Sequence, residues 1–471
     1  MNYWKNEYFI ARKNIPELKQ QIKGVIVGFN VNLDKIINVN PDLLGQILNQ
    51  FESIDQIISE PSPSMINNID ELICSLVNAI RHGKADESQI LSKEVGEWIE
   101  RNFNIRDVQI GGQAGIMSNL LRRMNIEQVL LSLPSFNLEL IDLLDSSIFT
   151  VIGKNEKIRI GSITDITTEN EYISHYIFEF KEGDYSIGEE TITCTRSNRF
   201  IASLDFVNPS IKINENFRRY STENINNFSS AIISGFHLIN PKITQKSHLE
   251  LLKRVKSLLN GWKKINSDLT LHLEMAAIKD VQLSKLIIEK IFPIIDRLGL
   301  NEQELLAILE TISPTMREKI RAEMNITNLF DGLSELFKSF PKLSIFLHCL
   351  GYYLVISPPL DKKYITKRKE SVLLSSLFAA VKAKEGEIKT KDDIIHIPVV
   401  LNSIQLKQIK LLENHLNQKY CNGKIFADKG IFNHSSFTLI YIPTIVIKNP
   451  KNLVGLGDTI SLIASIFESN Y

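Results

Sequence analysis

The stretch Ile445-Val446-Ile447, then Gly455-Leu456-Gly457-Asp458-Thr459-Ile460-Ser461 and an apolar-periodic run to Phe467, reads as a strand, a glycine-rich turn and a helix N-terminus. Two glycines let the backbone of such a turn come close to a ligand, and the first unpaired N–H groups of the helix form an anion site. Asp458 sits awkwardly there, because a carboxylate repels a phosphate unless it has a task such as taking a proton from the attacking group. Its competing reading is a helix cap, for which Asp is among the best residues.

The same alternation recurs along the chain from about residue 105. Short apolar runs at Val129–Leu133, Ala231–Gly235, Thr270–Glu274, Ile345–Cys349, Ile395–Leu401 and Phe437–Ile447 read as strands. Amphipathic stretches at Gly115–Met124, His248–Lys264, Val281–Ile295, Glu302–Ile312, Ser371–Lys384 and Ile404–Tyr420 read as helices between them. This order predicts an α/β fold with a large, Rossmann-like, mostly parallel sheet flanked by helices on both faces. Ligands of such sheets lie beyond the carboxyl ends of the strands, so the polar residues there carry the most information.

Residues 154–206 break the pattern. Arg159–Ile163, Ile173–Phe180, Thr191–Cys194 and Phe200–Phe206 are short, alternating runs separated by turns such as Glu182-Gly183-Asp184. They predict a small β-rich unit inserted into the α/β body. The larger domain is then expected at 1–32, 101–150 and 207–471, and the smaller one at 151–206 with part of 33–100, where residues 41–100 read as mainly helical.

A chain of 471 residues can bury a large core, and 44% apolar with 23% charged residues is ordinary for a soluble protein. Lys+Arg and Asp+Glu are equal at 54 each, so global charge gives no case for nucleic acid or an anionic membrane. The N-terminal MNYWKNEYFIARKN mixes charges into its apolar residues and has no signal-like apolar region. The longest apolar stretch, Phe437 to Ile447, contains Pro443 and is too short to span a bilayer. Cys74, Cys194, Cys349 and Cys421 are far apart and lack CxxC spacing, as expected of reduced thiols in a cytoplasmic protein.

Several segments place polar groups where a ligand would lie. Val25 to Asp34 alternates, with Val25, Val27, Phe29, Val31 and Leu33 on one face and Gly28, Asn30, Asn32 and Asp34 on the other. That polar row suits a polyhydroxylated ligand or a solvated strand face. Gly112 and Gln113 open a helix, and Gln113 offers both a donor and an acceptor. His272 and Glu274 share a face at a strand end, where a carboxylate suits a hard cation directly or through water. Asn301-Glu302-Gln303-Glu304 is a capping box, and Glu304 is also a candidate beside a phosphate. Arg199 sits near a strand end of the insertion, and His348 with Gly351-Tyr352-Tyr353 is a candidate wall of a nucleotide pocket.

In order along the chain, GFNVNLD (28–34), GGQAGI (111–116), HYIFEF (175–180), SNRFI (197–201), SGFH (234–237), HLE (272–274), NEQEL (301–305), HCLGYY (348–353) and GLGDT (455–459) resemble one family. It is the ADP-dependent sugar kinases, glucokinases and phosphofructokinases of ribokinase-like fold, with a lid domain closing over the sugar. The resemblance implies that Asp458 is the catalytic base, and that the turn from Gly455 through Leu456 and Gly457 stabilises the transferred phosphoryl group. Arg199 would reach the nucleotide phosphates. Glu304, with Glu274 behind it and Asp458 nearby, would order Mg²⁺. Asn32, Asp34, Glu87, Gly112, Gln113 and His175 would bind the sugar, and the adenine would lie near His348 and Ile445-Val446-Ile447.

On this resemblance the donor is ADP, the acceptor fructose 6-phosphate with glucose as the alternative, and the enzyme a monomer or weak homo-oligomer. Lys154, Lys157, Arg159, Arg196 and Arg199 are expected around the lid, which favours fructose 6-phosphate and its 1-hydroxyl. Glu87 instead favours glucose and its 6-hydroxyl, alone or in a bifunctional enzyme. An ATP-dependent relative and a non-catalytic sugar-binding protein are the remaining alternatives.

Overall fold

The computed structural model describes residues 2–20, 22–153, 156–163, 171–187, 190–420, 426–451 and 454–468. Lys154 and Cys421 lie outside the described residues.

Eleven strands form the larger sheet. Its parallel centre runs, in spatial order, Ser344–Cys349, Arg297–Leu300, Thr270–Glu274, Ser230–Ile233, Val25–Gly28, Val129–Leu131 and Phe149–Ile152. Antiparallel strands close both edges: Glu156–Arg159 on one side, and Tyr352–Ser357, Thr438–Pro443 and Ile431–Asn433 on the other. A strand covered on both faces reads as an unbroken apolar run, and all four residues of Val25–Gly28 are buried. One consequence sets the site: Gly28, Ile233, Glu274, Leu300 and Cys349 all end at the same edge.

A second sheet of six strands has the order Met65–Ile66, Asp86–Ile90, Asn198–Asp205, Ile173–Phe180, Asn32–Val39, Ile105–Gly111. One face carries Tyr176, Phe178, Phe200, Ala202 and Leu204 into a core of its own with Leu72, Leu76 and Ile80 of the Ile69–His82 helix. By the period-two rule, His175, Ile177, Arg199 and Ile201 point the other way, toward the carboxyl edge of the larger sheet.

Several expectations are corrected. The alternating run Val25 to Asp34 is two strands in different sheets, and at Val31, between them, the backbone bonds to a side chain instead of to a neighbouring strand. Asn208 donates to the Val31 carbonyl at 2.9 Å and accepts from its N–H at 3.2 Å. Ile395–Leu401 is no strand: residues 391–396 form a helix that ends before Pro398, with Ile397 already extended, and 398–401 pair with no strand. Ile445-Val446-Ile447 is irregular as well. The strand stops at Pro443, and the Ile445 N–H donates to the Ser376 hydroxyl at 3.0 Å instead of to a neighbouring strand.

Sheet membership also differs at two places. Ile105–Gly111 pairs within the smaller sheet, and Phe149–Ile152 and Glu156–Arg159 belong to the larger one. Cys74, Cys194 and Cys349 are buried free thiols. Among the described residues no helix is long and apolar enough to cross a membrane.

Candidate active site

Between the two sheets lies a cleft of about 340 Å³. Its lining includes Asn32, Asp34, Glu87, Gly112, Gln113, His175, Arg199, Glu274, Glu304, His348, Gly455, Leu456, Gly457 and Asp458. These include every residue to which the resemblance gives a role except Ile445, Val446 and Ile447, which are not part of the wall; His272 and the Gly351-Tyr352-Tyr353 turn are not part of it either, and Ile445 packs into the core of the larger sheet.

At one end of the cleft stands Asp458. Gly455 is the N-cap of the Leu456–Ile466 helix, in the left-handed region at φ 67°, so Asp458 is the third helical residue and not the cap. Its Oδ1 accepts from Gln113 Nε2 at 3.1 Å. The same Nε2 donates to the Met275 carbonyl at 3.2 Å, and Gln113 Oε1 accepts from the Gly235 N–H at 3.3 Å. With both ends of its amide engaged, Gln113 holds the carboxylate in one orientation. Burial pushes the Asp458 carboxyl up to about 6, and Glu274 adds to the shift against Lys382, Gln113 and His348. A base poised just below neutrality is ionised at pH 7 and still accepts a proton readily.

Beside it, Glu274 ends its strand between two imidazoles, with Oε2 3.5 Å from His272 Nε2 and Oε1 3.5 Å from His348 Nε2. Burial alone would raise this carboxyl, but the two histidines outweigh it and leave it below the usual range. Glu304 closes the expected capping box: its oxygens accept from the Asn301 N–H at 2.7 Å and Nδ2 at 3.0 Å. Burial takes Glu304 up to about 7, with Glu274 and Asp458 adding their repulsion. Among the described residues no three His, Cys, Asp or Glu side chains are close enough to cage a metal ion directly. The donor set nevertheless fits a divalent cation held through water: three hard carboxylates line one cleft and raise one another's affinity for positive charge.

The other end belongs to the smaller sheet. Asp34 accepts from Asn32 Nδ2 at 2.6 Å, and burial raises its carboxyl to about 6. Across the ladder from Asp34 is His175, whose Nε2 lies 3.3 Å from Asp205. Burial would lower that imidazole, but Asp205, Glu87 and Asp34 together raise it. Glu87 accepts from the Ser203 hydroxyl at 3.0 Å. Arg199 is the one Lys or Arg among the described residues of the wall. Lys157 and Arg159 are elsewhere, on the outermost strand of the larger sheet and stacked over Phe149, and Arg196 does not line the cleft. Of the described members of the expected cationic set, Arg199 alone lines the cleft.

Two residues escaped the sequence reading. His237, inside the SGFH segment, lines the cleft with a buried Nδ1 that has no partner, and burial lowers its pKa. Lys382, near the end of the Lys362–Glu385 helix, donates to the Gly455 carbonyl at 3.0 Å; burial pushes it down to about 8. The SGFH motif gave a signal for the first. Nothing local singles out the second.

A mostly parallel α/β sheet with a glycine-turn carboxylate at its carboxyl edge, covered by a smaller sheet, is an arrangement suited to phosphoryl transfer. The chain belongs to the ADP-specific phosphofructokinase/glucokinase family, whose conserved region matches residues 23–467. An ADP-dependent glucose/glucosamine kinase of Pyrococcus furiosus is 29% identical over 99% of this chain and 98% of its own. An ADP-specific phosphofructokinase of the same organism is 27% identical over 93% of this chain and 95% of its own. Among solved structures, the last common ancestor of ADP-dependent phosphofructokinases from Methanosarcinales superposes with a TM-score of 0.84 at 25% identity, covering 99% of this chain and 98% of that one.

Proposed function

We propose that this ADP-dependent sugar kinase transfers the β-phosphate of ADP to a hydroxyl of an unphosphorylated hexose, with glucose and its 6-hydroxyl as the preferred pair. One observation carries the choice of acceptor. The sugar end of the cleft presents two carboxylates, Asp34 and Glu87, and Arg199 as the one Lys or Arg among the described residues of the wall. Carboxylates accept strongly from sugar hydroxyls, whereas the dianionic phosphate of fructose 6-phosphate calls for more cations than the described residues of the wall supply. His175 gives no surplus of positive charge, because Asp205, Glu87 and Asp34 already face it. Fructose 6-phosphate is the alternative acceptor, favoured by the phosphofructokinases among the relatives.

Asn32, Asp34, Glu87, Gly112, Gln113 and His175 orient the sugar so that one hydroxyl meets Asp458. Asp458 takes its proton as the oxygen forms a bond to the β-phosphorus, and the bond to the bridging oxygen breaks with its electron pair leaving on AMP. The N–H groups of residues 455–458 face the transferred group at a helix N-terminus, and Arg199 reaches the nucleotide phosphates from the smaller sheet. Glu304, backed by Glu274, would hold the water shell of Mg²⁺, which neutralises phosphate charge when bound. Positioning and charge stabilisation are most of what phosphoryl transfer requires.

A four-way assay tests this: ADP or ATP with glucose or fructose 6-phosphate, followed by release of AMP or, in the ATP arms, ADP. The expected result is AMP from ADP and glucose at the highest kcat/KM. A higher kcat/KM with fructose 6-phosphate overturns the choice of acceptor, and no AMP with either sugar overturns the kinase reading itself.

A further inference from the structure

Lys382 is an ammonium in a place where charge is costly. Its helix, Lys362–Glu385, packs along the Leu456–Ile466 helix, and its Nζ is carried into the far side of the turn that bears Asp458. There it donates to the Gly455 carbonyl at 3.0 Å and lies 3.4 Å from the Thr459 hydroxyl oxygen. That carbonyl also accepts from the Thr459 hydroxyl at 2.9 Å and from the Thr459 N–H at 3.1 Å, so three donors fix one oxygen at the helix start. The Lys451 N–H, just before the turn, is held by the Ala383 carbonyl at 2.7 Å, so the same helix end grips the segment twice.

Gly455 shows how tightly the space is used. A Cβ at that position would stand 2.6 Å from Lys382 Nζ and 3.2 Å from Asp458 Oδ2. The ammonium and the carboxylate therefore lie within about 6 Å of each other, the range in which opposite charges still act on one another. Arg123, from the end of the Gln113–Arg123 helix, is the other cation whose field Lys382 feels, and it pairs with Glu387 at 3.0 Å. Desolvating a lysine costs several kcal/mol in general, and its stem alone would pack as well as leucine or methionine.

We propose that Lys382 is a positioning residue for phosphoryl transfer: by holding the Gly455 carbonyl it keeps the N–H groups of residues 455–458 aimed at the phosphoryl group, and its charge offsets the negative charge gathered there. The proposal rests on Asp458 being the base. It concerns turnover and not sugar recognition, since Lys382 lies behind the turn and outside the cleft wall.

The test measures steady-state kinetics with Mg-ADP and glucose for the full chain and for Lys382→Met, Lys382→Arg and Lys382→Ala, the last with and without ethylammonium, with thermal unfolding of each. Lys382→Met is expected to lose about 100-fold in kcat, the size of effect of a misaligned reacting group, with both KM values within about threefold. Lys382→Arg recovers at least tenfold of that loss, and added ethylammonium recovers part of it in Lys382→Ala. A role in packing alone predicts no rescue by charge. Folded Lys382→Met with kcat within twofold of the parent overturns the proposal, and so does a loss that neither arginine nor the amine reverses. If the methionine variant does not fold, the arginine and amine results decide. Asp458→Asn run alongside separates the two readings: full turnover in that variant removes the base assignment, whatever Lys382 shows.

Discussion

The two walls of the cleft are made by different means. On the side of the larger sheet, each functional group stands at a discontinuity: Glu274 at a strand end, Glu304 and Asp458 in the first turns of helices, Gln113 at a helix start. On the side of the smaller sheet, His175, Arg199, Asp34 and Glu87 sit within strands, held by the ladder and aimed by alternation. Strand ends and helix N-termini supply unpaired N–H groups and partial positive charge, which suit phosphate. A pleated face supplies a rigid array of side chains, which suits a polyhydroxylated ring. The difference supports the proposal that most of the chemistry belongs to one wall and most of acceptor choice to the other, with Arg199 and Gln113 crossing that division, and it is open to disproof one residue at a time.

The largest effect belongs to the first wall. Asp458→Asn keeps the shape and the Gln113 contact site but removes the base. Turnover is expected to fall about 10³-fold, while AMP binding by calorimetry stays within a few-fold of the parent. Loss of AMP binding in step with turnover would make Asp458 a structural member of the turn instead.

Next comes Asp34, where function and stability pull apart. Burial raises its folded-state carboxyl to about 6, above its ordinary value near 3.8. Between those values the folded chain holds a proton that the unfolded chain has released. The stability from this group is present below about pH 4 and lost as pH rises through about 6. At pH 7 the ionised Asp34 costs about 2–3 kcal/mol by linkage. Asp34→Asn should therefore stabilise the protein against urea at pH 7, with a smaller gain near pH 4, while the KM for glucose rises. A variant less stable at pH 7 would show that the carboxylate is better solvated than its burial implies.

How much of this contrast was legible beforehand follows from what sets each wall. Thr270–Glu274 and Glu302–Ile312 read to the residue because a strand end and a capping box are local signals. The motifs of the second wall were found by their order and its β-rich insertion by alternation, but not the strands that join that sheet from elsewhere: Val25 to Asp34 looked like one strand, since the Asn208 side chain that separates it into two is 177 residues away. Ile445-Val446-Ile447 has the composition of a strand and none of its pairing. Lys382 is the extreme case, an unremarkable basic residue at a helix end whose partner, Gly455, is 73 positions further on. Period and cap are written locally; contact across the fold is not.

Glu87 sharpens the division of labour within the second wall. Glu87→Gln keeps volume and the Ser203 hydroxyl as a neighbour but removes a charged acceptor. A fall of about 10–30-fold in kcat/KM for glucose is expected, with fructose 6-phosphate unchanged or improved. Equal losses with both sugars would mean that Glu87 supports the wall without reading the acceptor.

The smallest effect tests whether the walls are separate at all. Lys279 follows the Thr270–Glu274 strand of the larger sheet, yet its Nζ donates to Asp86 Oδ1 at 2.7 Å and to the Glu87 carbonyl at 3.0 Å in the smaller one. The side chain is 74% exposed, and such a pair is worth at most about 1 kcal/mol and is screened by salt. Lys279→Ala is expected to raise the KM for glucose about two- to threefold and leave kcat alone, because it loosens the strand carrying Glu87 without touching the turn at Asp458. Added salt should raise KM in the parent by a similar factor and do less in the variant. A large drop in kcat would show that the smaller sheet sets the geometry of phosphoryl transfer as well as the choice of sugar, and the two walls would then have to be treated as one.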